Sequence, residues 1–257
     1  MHRIGVLLSA LALCACATAS QRPATFDQVA IDRAVADPNR PEAQRARDTL
    51  RKPAELMALA EIRPGLKMAE FLPVGAAGIG YFTRMFSVAI GPGGRIYGHV
   101  PTEQLALSPR DVNSARTLEG DANLPNLTLL RQPLLQFAVP EPLDLYWTSL
   151  NYHDVPLELG TEPDLEKFNR AVFKSLRPGG IYIVIDHSAE PGSGLRALRL
   201  HRIDPELVKR QVVGVGFVLD GESNILANPA DDHTLSVFDA SVRGRTDQFV
   251  LRFRKPG

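Results

Sequence analysis

Apolar side chains change their period several times along this chain, and the changes mark out its elements. Residues 66–72 form a short, mostly apolar run behind Arg63-Pro64-Gly65; the glycine-bearing stretch Gly75-Ala76-Ala77-Gly78-Ile79-Gly80 follows, and then Tyr81-Phe82-Thr83-Arg84-Met85-Phe86. That order predicts a strand, a glycine turn and a helix. Gly91-Pro92-Gly93-Gly94 stops the helix, and residues 95–100 give a second strand. Residues 126–131 and 143–150 read as two further buried strands, with a modest helix at 111–118 between the second and third strands. The plainest helical repeat covers 161–176. There Leu165, Phe168, Val172, Phe173 and Leu176 recur at offsets of three, four and seven, behind Thr161 and Asp164 in a capping-box-like arrangement. Arg177-Pro178-Gly179-Gly180 ends that helix, and residues 181–185 are apolar throughout, as a strand covered on both faces is. Asp204-Pro205 opens another helix, which closes near Gly214-Val215-Gly216. Residues 217–219 and 248–254 read as a closing strand pair, the second alternating Phe249, Leu251 and Phe253.

Strands separated by helices predict an α/β fold: a doubly wound, mostly parallel sheet with helices on both faces and an antiparallel last strand reached through the polar segment 220–247. Upstream, residues 42–62 are rich in Ala, Arg, Leu and Glu and predict helices over 42–51 and 53–62, an N-terminal helical extension with Pro53 in a first turn. Residues 20–41 are polar with scattered Pro, and read as a tether and an irregular arm. The chain begins with a small cationic start, an apolar run from Ile4 to Leu13 and small residues through Ala19. This is the pattern of a secretory leader, too short to span a membrane. Leu13-Cys14-Ala15-Cys16 resembles a bacterial lipobox, while Ala17-Thr18-Ala19 fits a small-x-small cleavage site. Both outcomes predict export, to the periplasm or to a lipid anchor on Cys16 that is the chain's one contact with a membrane. The expected division is leader 1–19, tether 20–41 and globular domain 42–257.

Charge and cysteine content narrow the chemistry. The 257 residues include 29 Lys and Arg against 29 Asp and Glu, a neutral balance that gives no electrostatic case for nucleic acid as a partner. Both cysteines, Cys14 and Cys16, lie in the leader, so the domain has no disulfide, thiolate nucleophile or cysteine zinc site. A G-x-S-x-G elbow, an H-E-x-x-H helix and a Walker loop are all missing from the sequence. Nothing in the sequence specifies an oligomeric state.

In open α/β sheets ligands bind beyond the carboxyl ends of the strands. After the first strand stand Glu70, Gly75, Gly78 and Gly80, an acidic group and a turn whose backbone can approach a ligand closely, although the spacing is not G-x-G-x-x-G. The second strand ends His99-Val100-Pro101, with Glu103 three residues further. After the fourth strand comes Asn151-Tyr152-His153-Asp154, and after the fifth Asp186-His187-Ser188, so two acid–histidine pairs converge on one rim. Imidazole beside carboxylate exchanges protons near neutral pH, and the same groups ligate metals. The competing reading is that they satisfy buried backbone ends. His201-Arg202-Ile203-Asp204 and residues 228–233 read as an N-cap and a solvated loop as readily as a site.

These residues resemble the class I S-adenosylmethionine-dependent methyltransferases, and among them a bacterial group of exported predicted methyltransferases. The likeness runs from Arg47-Asp48 to Pro256. It is carried by Arg51-Lys52-Pro53, Asn151-Tyr152-His153-Asp154, Leu176-Arg177-Pro178-Gly179-Gly180, Asp186-His187-Ser188-Ala189, Leu200-His201-Arg202-Ile203-Asp204 and Arg243-Gly244-Arg245-Thr246-Asp247. The resemblance implies a seven-stranded sheet and methyl transfer from S-adenosylmethionine to a small-molecule acceptor. It assigns Glu70, Gly75, Gly78 and Gly80 to the cofactor, and the rim residues Asn151, His153, Asp154, Asp186 and His187 are then the candidates for catalysis, with no metal. Two other classes stay open: a small-molecule binding protein on the same scaffold, and a metal-dependent hydrolase using the His–Asp rim.

Overall fold

The computed structural model describes residues 26–74, 79–159 and 162–257. The expected leader, the tether up to residue 25, Gly75 and Gly78 of the glycine turn, and Thr161 lie outside these residues. In chain order the elements are α1 (Gln28–Val35), α2 (Glu42–Arg45), α3 (Asp48–Arg51), α4 (Pro53–Leu59), β1 (Lys67–Phe71), α5 (Tyr81–Ile90), β2 (Arg95–Pro101), α6 (Thr102–Leu107), α7 (Pro109–Glu119) and β3 (Leu127–Gln132). There follow β4 (Leu143–Ser149), α8 (Asp154–Leu159), α9 (Glu162–Ser175), β5 (Leu176–His187), a 3₁₀ turn (Leu198–Leu200), α10 (Pro205–Gly214), β6 (Val218–Ser223) and β7 (Gln248–Arg254).

The strands form one seven-stranded sheet in the order β3-β2-β1-β4-β5-β7-β6. The first five are parallel, and β7 runs antiparallel between β5 and β6. Strand order reverses between β1 and β4, which makes their carboxyl ends the topological switch point of the sheet.

Side-chain alternation explains the two layers of helix. Along β5, Ile181, Ile183 and Ile185 enter one apolar cluster with residues of α1, α4 and α5, while Tyr182 and Val184 enter another with residues of α7, α9 and α10. A strand buried on both faces needs apolar residues at every position, and residues 181–185 supply them. The Arg177-Pro178-Gly179-Gly180 turn sits inside β5 as a bulge: Leu176 pairs with Leu143, and pairing resumes at Ile181 with Leu145. Gly180 is required there, since a Cβ would stand 2.9 Å from Arg177 O and 3.2 Å from Leu143 O.

Several expected boundaries move. The stretch read as an irregular arm contains α1, capped by Asp27, whose carboxylate accepts from Ala30 N at 2.9 Å, with Ile31 and Ala34 fully buried. An N-cap of this kind is worth about 1 kcal/mol, and the burial of Ile31 adds to it. The helix expected over 42–51 is two short turns, α2 and α3. Lys52 then adopts a left-handed φ of 43° between them and α4, whose first residue is Pro53. Strand β6 runs on to Ser223 through a register shift at Leu219/Gly221, claiming residues expected in the polar connection.

Candidate active site

Beyond the carboxyl ends of β1, β4 and β5 opens a cavity of about 710 Å³, within the range of small-molecule sites. Three of its lining residues, Leu72, Leu150 and His201, hold left-handed φ values of 50°, 61° and 56°. Non-glycine residues pay on the order of 1–3 kcal/mol for that conformation, and such strain gathers where function fixes the chain.

One end of the cavity is built around Glu70, the penultimate residue of β1. It is buried, and Thr83 Oγ1 on α5 donates to its Oε2 at 2.5 Å. Burial pushes the Glu70 carboxyl up to about 7, against the Thr83 hydrogen bond and the nearby Arg51 charge. Arg51 ends α3 and lines the same cavity. Its Nη2 donates to Ser149 Oγ at 3.2 Å and its guanidinium lies 4.2 Å over the Tyr81 ring. Burial, then the neighbouring Arg47 charge, pushes the Arg51 guanidinium down to about 10. The helical extension is fastened at this point: Asp48 accepts from Arg40 at 2.7 and 2.8 Å and from Tyr81 OH at 2.7 Å.

The same cavity is lined by a histidine rim. His153 N donates to Asp186 Oδ2 at 2.8 Å, and His153 Nδ1 stands 2.8 Å from Asp186 Oδ1. Asp186 is fully buried and also accepts from His187 N at 2.7 Å. Burial works against the charge of both partners, yet each outweighs it for the other. The Asp186 carboxyl stays below its usual range, and the carboxylates of Asp186 and Asp154 hold the His153 imidazole up to about 9. The Nδ1 proton of His153 therefore faces an ionised carboxylate, which leaves Nε2 directed to a second partner, His201 Nδ1 at 3.1 Å. Asp154 Oδ1 lies 3.3 Å from the same Nε2. Burial and the His153 charge keep His201 below the ordinary histidine range, and its ring stacks edge-on against Phe238, 4.7 Å between centroids.

The structure places the sequence-predicted residues differently. His153, Asp154, Asp186 and His187 come together, with the His153 and His187 rings 6.1 Å apart. His187 is spent on Thr246, its Nδ1 2.7 Å from Oγ1, and burial pushes it down to about 4. Asn151 lines the cavity but acts as a brace between strands: its Nδ2 donates to Phe71 O at 2.8 Å and its Oδ1 accepts from Ser149 N at 3.2 Å. Gly80 serves packing at the α5 N-terminus, where φ is 62° and a Cβ would meet Leu118 Cδ2 at 2.6 Å. Glu103 does not line the main cavity; its Oε2 accepts from Leu134 N at 3.0 Å and Thr102 Oγ1 at 3.2 Å. Sequence reasoning missed Arg51 and His201 as site residues; both stand in stretches that carried the family resemblance.

No family profile matches the sequence, and no curated protein matches it significantly. Solved structures do. The chain is similar over 89% of its length, and over 98% of the other chain, to a SAM-dependent methyltransferase from Aquifex aeolicus, with 16% identity and a TM-score of 0.55. It is similar to the N-methyltransferase NodS from Bradyrhizobium japonicum in complex with S-adenosyl-L-homocysteine, over 91% of this chain and 100% of that one, at 16% identity and a TM-score of 0.52. A possible exported protein from Bordetella parapertussis matches over 90% of this chain and 80% of its own, at 18% identity and a TM-score of 0.50. Sheet order, the antiparallel β7 and these likenesses together give the chain the fold of the class I S-adenosylmethionine-dependent methyltransferases.

Proposed function

We propose that this protein transfers a methyl group from S-adenosylmethionine to a small-molecule acceptor held in the cavity at the carboxyl edge of the sheet. The observation that carries the reading is the presence, in the lining of one cavity of this fold, of both a buried carboxylate at the β1 end and a polar histidine rim.

The residues present fit the cofactor at the Glu70 end. A buried carboxyl pushed up to about 7 is an anion lacking full compensation, and an ammonium group of a ligand supplies what burial has removed. When bound, S-adenosylmethionine supplies an electrophilic methyl carried on a sulfonium. Glu70 would hold the amino-acid end, with Arg51 nearby to meet a carboxylate. At the rim, His153 is fixed by Asp186, so its Nε2 edge, the Asp154 carboxylate and neutral His201 form a rigid face for orienting the acceptor. Asp154 and His201 offer two places for the proton the acceptor gives up. Methyl transfer mainly requires in-line positioning, so one such base suffices.

Calorimetric titration with S-adenosylmethionine and S-adenosylhomocysteine tests this. Stoichiometric binding, weakened at least tenfold by Glu70→Leu, supports the reading; no heat at millimolar ligand with folded protein overturns it. One observation favours a second reading, a binding protein without turnover. The carboxylate nearest the end of β2, Glu103, spends its Oε2 on Leu134 N instead of pointing into the main cavity, which it does not line. Ligand binding with no methylated product from a broad acceptor panel would select that alternative.

The Ile4 to Leu13 apolar run and the likeness to a possible exported protein support export, and among the described residues no helix is long and apolar enough to cross a membrane. Mass spectrometry of the mature protein separates a lipidated Cys16 from a free N-terminus at Ser20.

A further inference from the structure

We propose that the rim is also a divalent transition-metal site, formed by His153 Nε2, His201 Nδ1 and Asp154 Oδ1. Among the described residues these form the one group of three histidine or carboxylate ligand atoms close enough together to share an ion. The three atoms stand 3.1, 3.3 and 3.9 Å from one another. Donors around a tetrahedral ion at metal–nitrogen distances of about 2.0–2.1 Å are separated by about 3.3 Å. The triangle therefore already has the size that one face of such a site requires.

The three donor atoms are also oriented by their surroundings. An imidazole nitrogen and a carboxylate oxygen both stand close to His153 Nε2, at 3.1 and 3.3 Å. A cation placed among the three atoms is met by all of them. Behind the ligand, Asp186 grips Nδ1 of His153 at 2.8 Å and takes the His153 N–H at the same distance. This carboxylate–histidine contact is the outer-shell partner that orients a metal-binding imidazole. His201 reaches the triangle from a left-handed φ of 56° at the end of the 3₁₀ turn, and Asp154 from the first residue of α8. Two separate elements thus aim at one point.

The donor set limits the ion. Two imidazole nitrogens and one carboxylate oxygen suit zinc and its first-row neighbours, whereas magnesium and calcium favour oxygen ligands and water. All three residues line the cavity, so the remaining coordination positions open toward bound ligand rather than into protein. A site with three protein ligands and an open position is of the ligand-binding kind, and an oxygen of the small molecule in the cavity is the group it would hold. This inference needs neither the cofactor nor methyl transfer, and it extends to any small molecule the cavity takes.

The test uses the whole protein, stripped with chelator and exchanged into metal-free buffer, then titrated with zinc chloride and separately with cobalt chloride. The expected results are one zinc per chain and a cobalt complex with the intense visible absorption of four- or five-coordinate nitrogen ligation. Asp154→Asn and His201→Asn, the latter a residue that tolerates left-handed φ, should each weaken zinc binding by about 10-fold or more. Asp186→Asn should weaken it by about 10–100-fold, and His233→Gln, at a pair outside the cavity, should leave it unchanged. Folding of every variant is read from its thermal transition. Absence of stoichiometric zinc in folded wild-type protein overturns the proposal, as does wild-type affinity in folded Asp154→Asn. Should His201→Asn not fold, Asp154→Asn and the cobalt spectrum of the wild type decide alone. Titration of the chelated protein with S-adenosylhomocysteine keeps the two readings apart: heat there supports the cofactor seat whatever zinc does, and its loss leaves the metal result standing.

Discussion

Replacing Glu70 with glutamine should stabilise the free protein, and more so as pH rises. The folded-state carboxyl sits at about 7 against an ordinary value of 4.5, chiefly because burial disfavours its charge. A group whose pKa is raised by folding binds its proton more tightly in the native state. Its stabilising contribution is complete below the unfolded value and is lost as pH climbs through the folded one. The window is therefore pH 4.5 to about 7, and stability falls across it. At about 1.36 kcal/mol per unit, the full loss is about 3 kcal/mol. Glutamine imitates the protonated form and carries no such loss. In thermal melts, wild type and Glu70→Gln should nearly coincide below about pH 5 and separate by roughly 6–12 °C above about pH 8, the variant melting higher. A cationic ligand beside Glu70 should reverse the penalty and release up to about one proton on binding near pH 6, read from heats in two buffers of different ionisation enthalpy. A constant offset between the melting curves at every pH would refute the reasoning, since it would mean the carboxyl is equally comfortable charged.

Three further outcomes follow from packing. Ile31→Ala should cost about 2–5 kcal/mol in denaturant unfolding, because Ile31 is fully buried against α5; a cost near zero would mean that α1 is an appendage. Gly80→Ala should lower stability by roughly 1–3 kcal/mol, since φ there is 62° and the new Cβ would press Leu118 at 2.6 Å; an unchanged melting temperature would remove the strain argument. Asp231→Ala strands the buried guanidinium of Arg202, which now meets Asp231 through two hydrogen bonds of 2.8 and 3.0 Å, and should cost about 3–5 kcal/mol. Limited proteolysis should then cut first within residues 228–247, and wild-type resistance of that segment would contradict the anchoring role.

Periodicity made the sheet legible. The apolar run 181–185 could only be a strand covered on both faces, and Leu165, Phe168 and Val172 lie on the buried side of α9. The rim was legible in outline for a related reason: a parallel sheet delivers the residues following β4 and β5 to one edge, so His153 and Asp186 meet despite a sequence separation of 33. What sequence does not encode is the partner each polar group selects. His153 takes Asp186 on Nδ1 and His201 on Nε2, and His201 arrives through a left-handed residue at the end of a short turn, a geometry no spacing rule announces. Asn151 and Glu103, equally polar and near the same edge, satisfy backbone groups instead. The α1 helix escaped notice because it is only eight residues long, and packing against α5, not a long repeat, sustains it.

The most direct measurement is a crystal structure of the protein grown with S-adenosylhomocysteine. Density for the ligand in the cavity, with its amino group within hydrogen-bond distance of Glu70 and its sulfur facing the His153 rim, is the predicted result. A saturated crystal whose cavity stays empty of ligand, or whose ligand lies away from the ends of β1 and β4, would contradict the central claim.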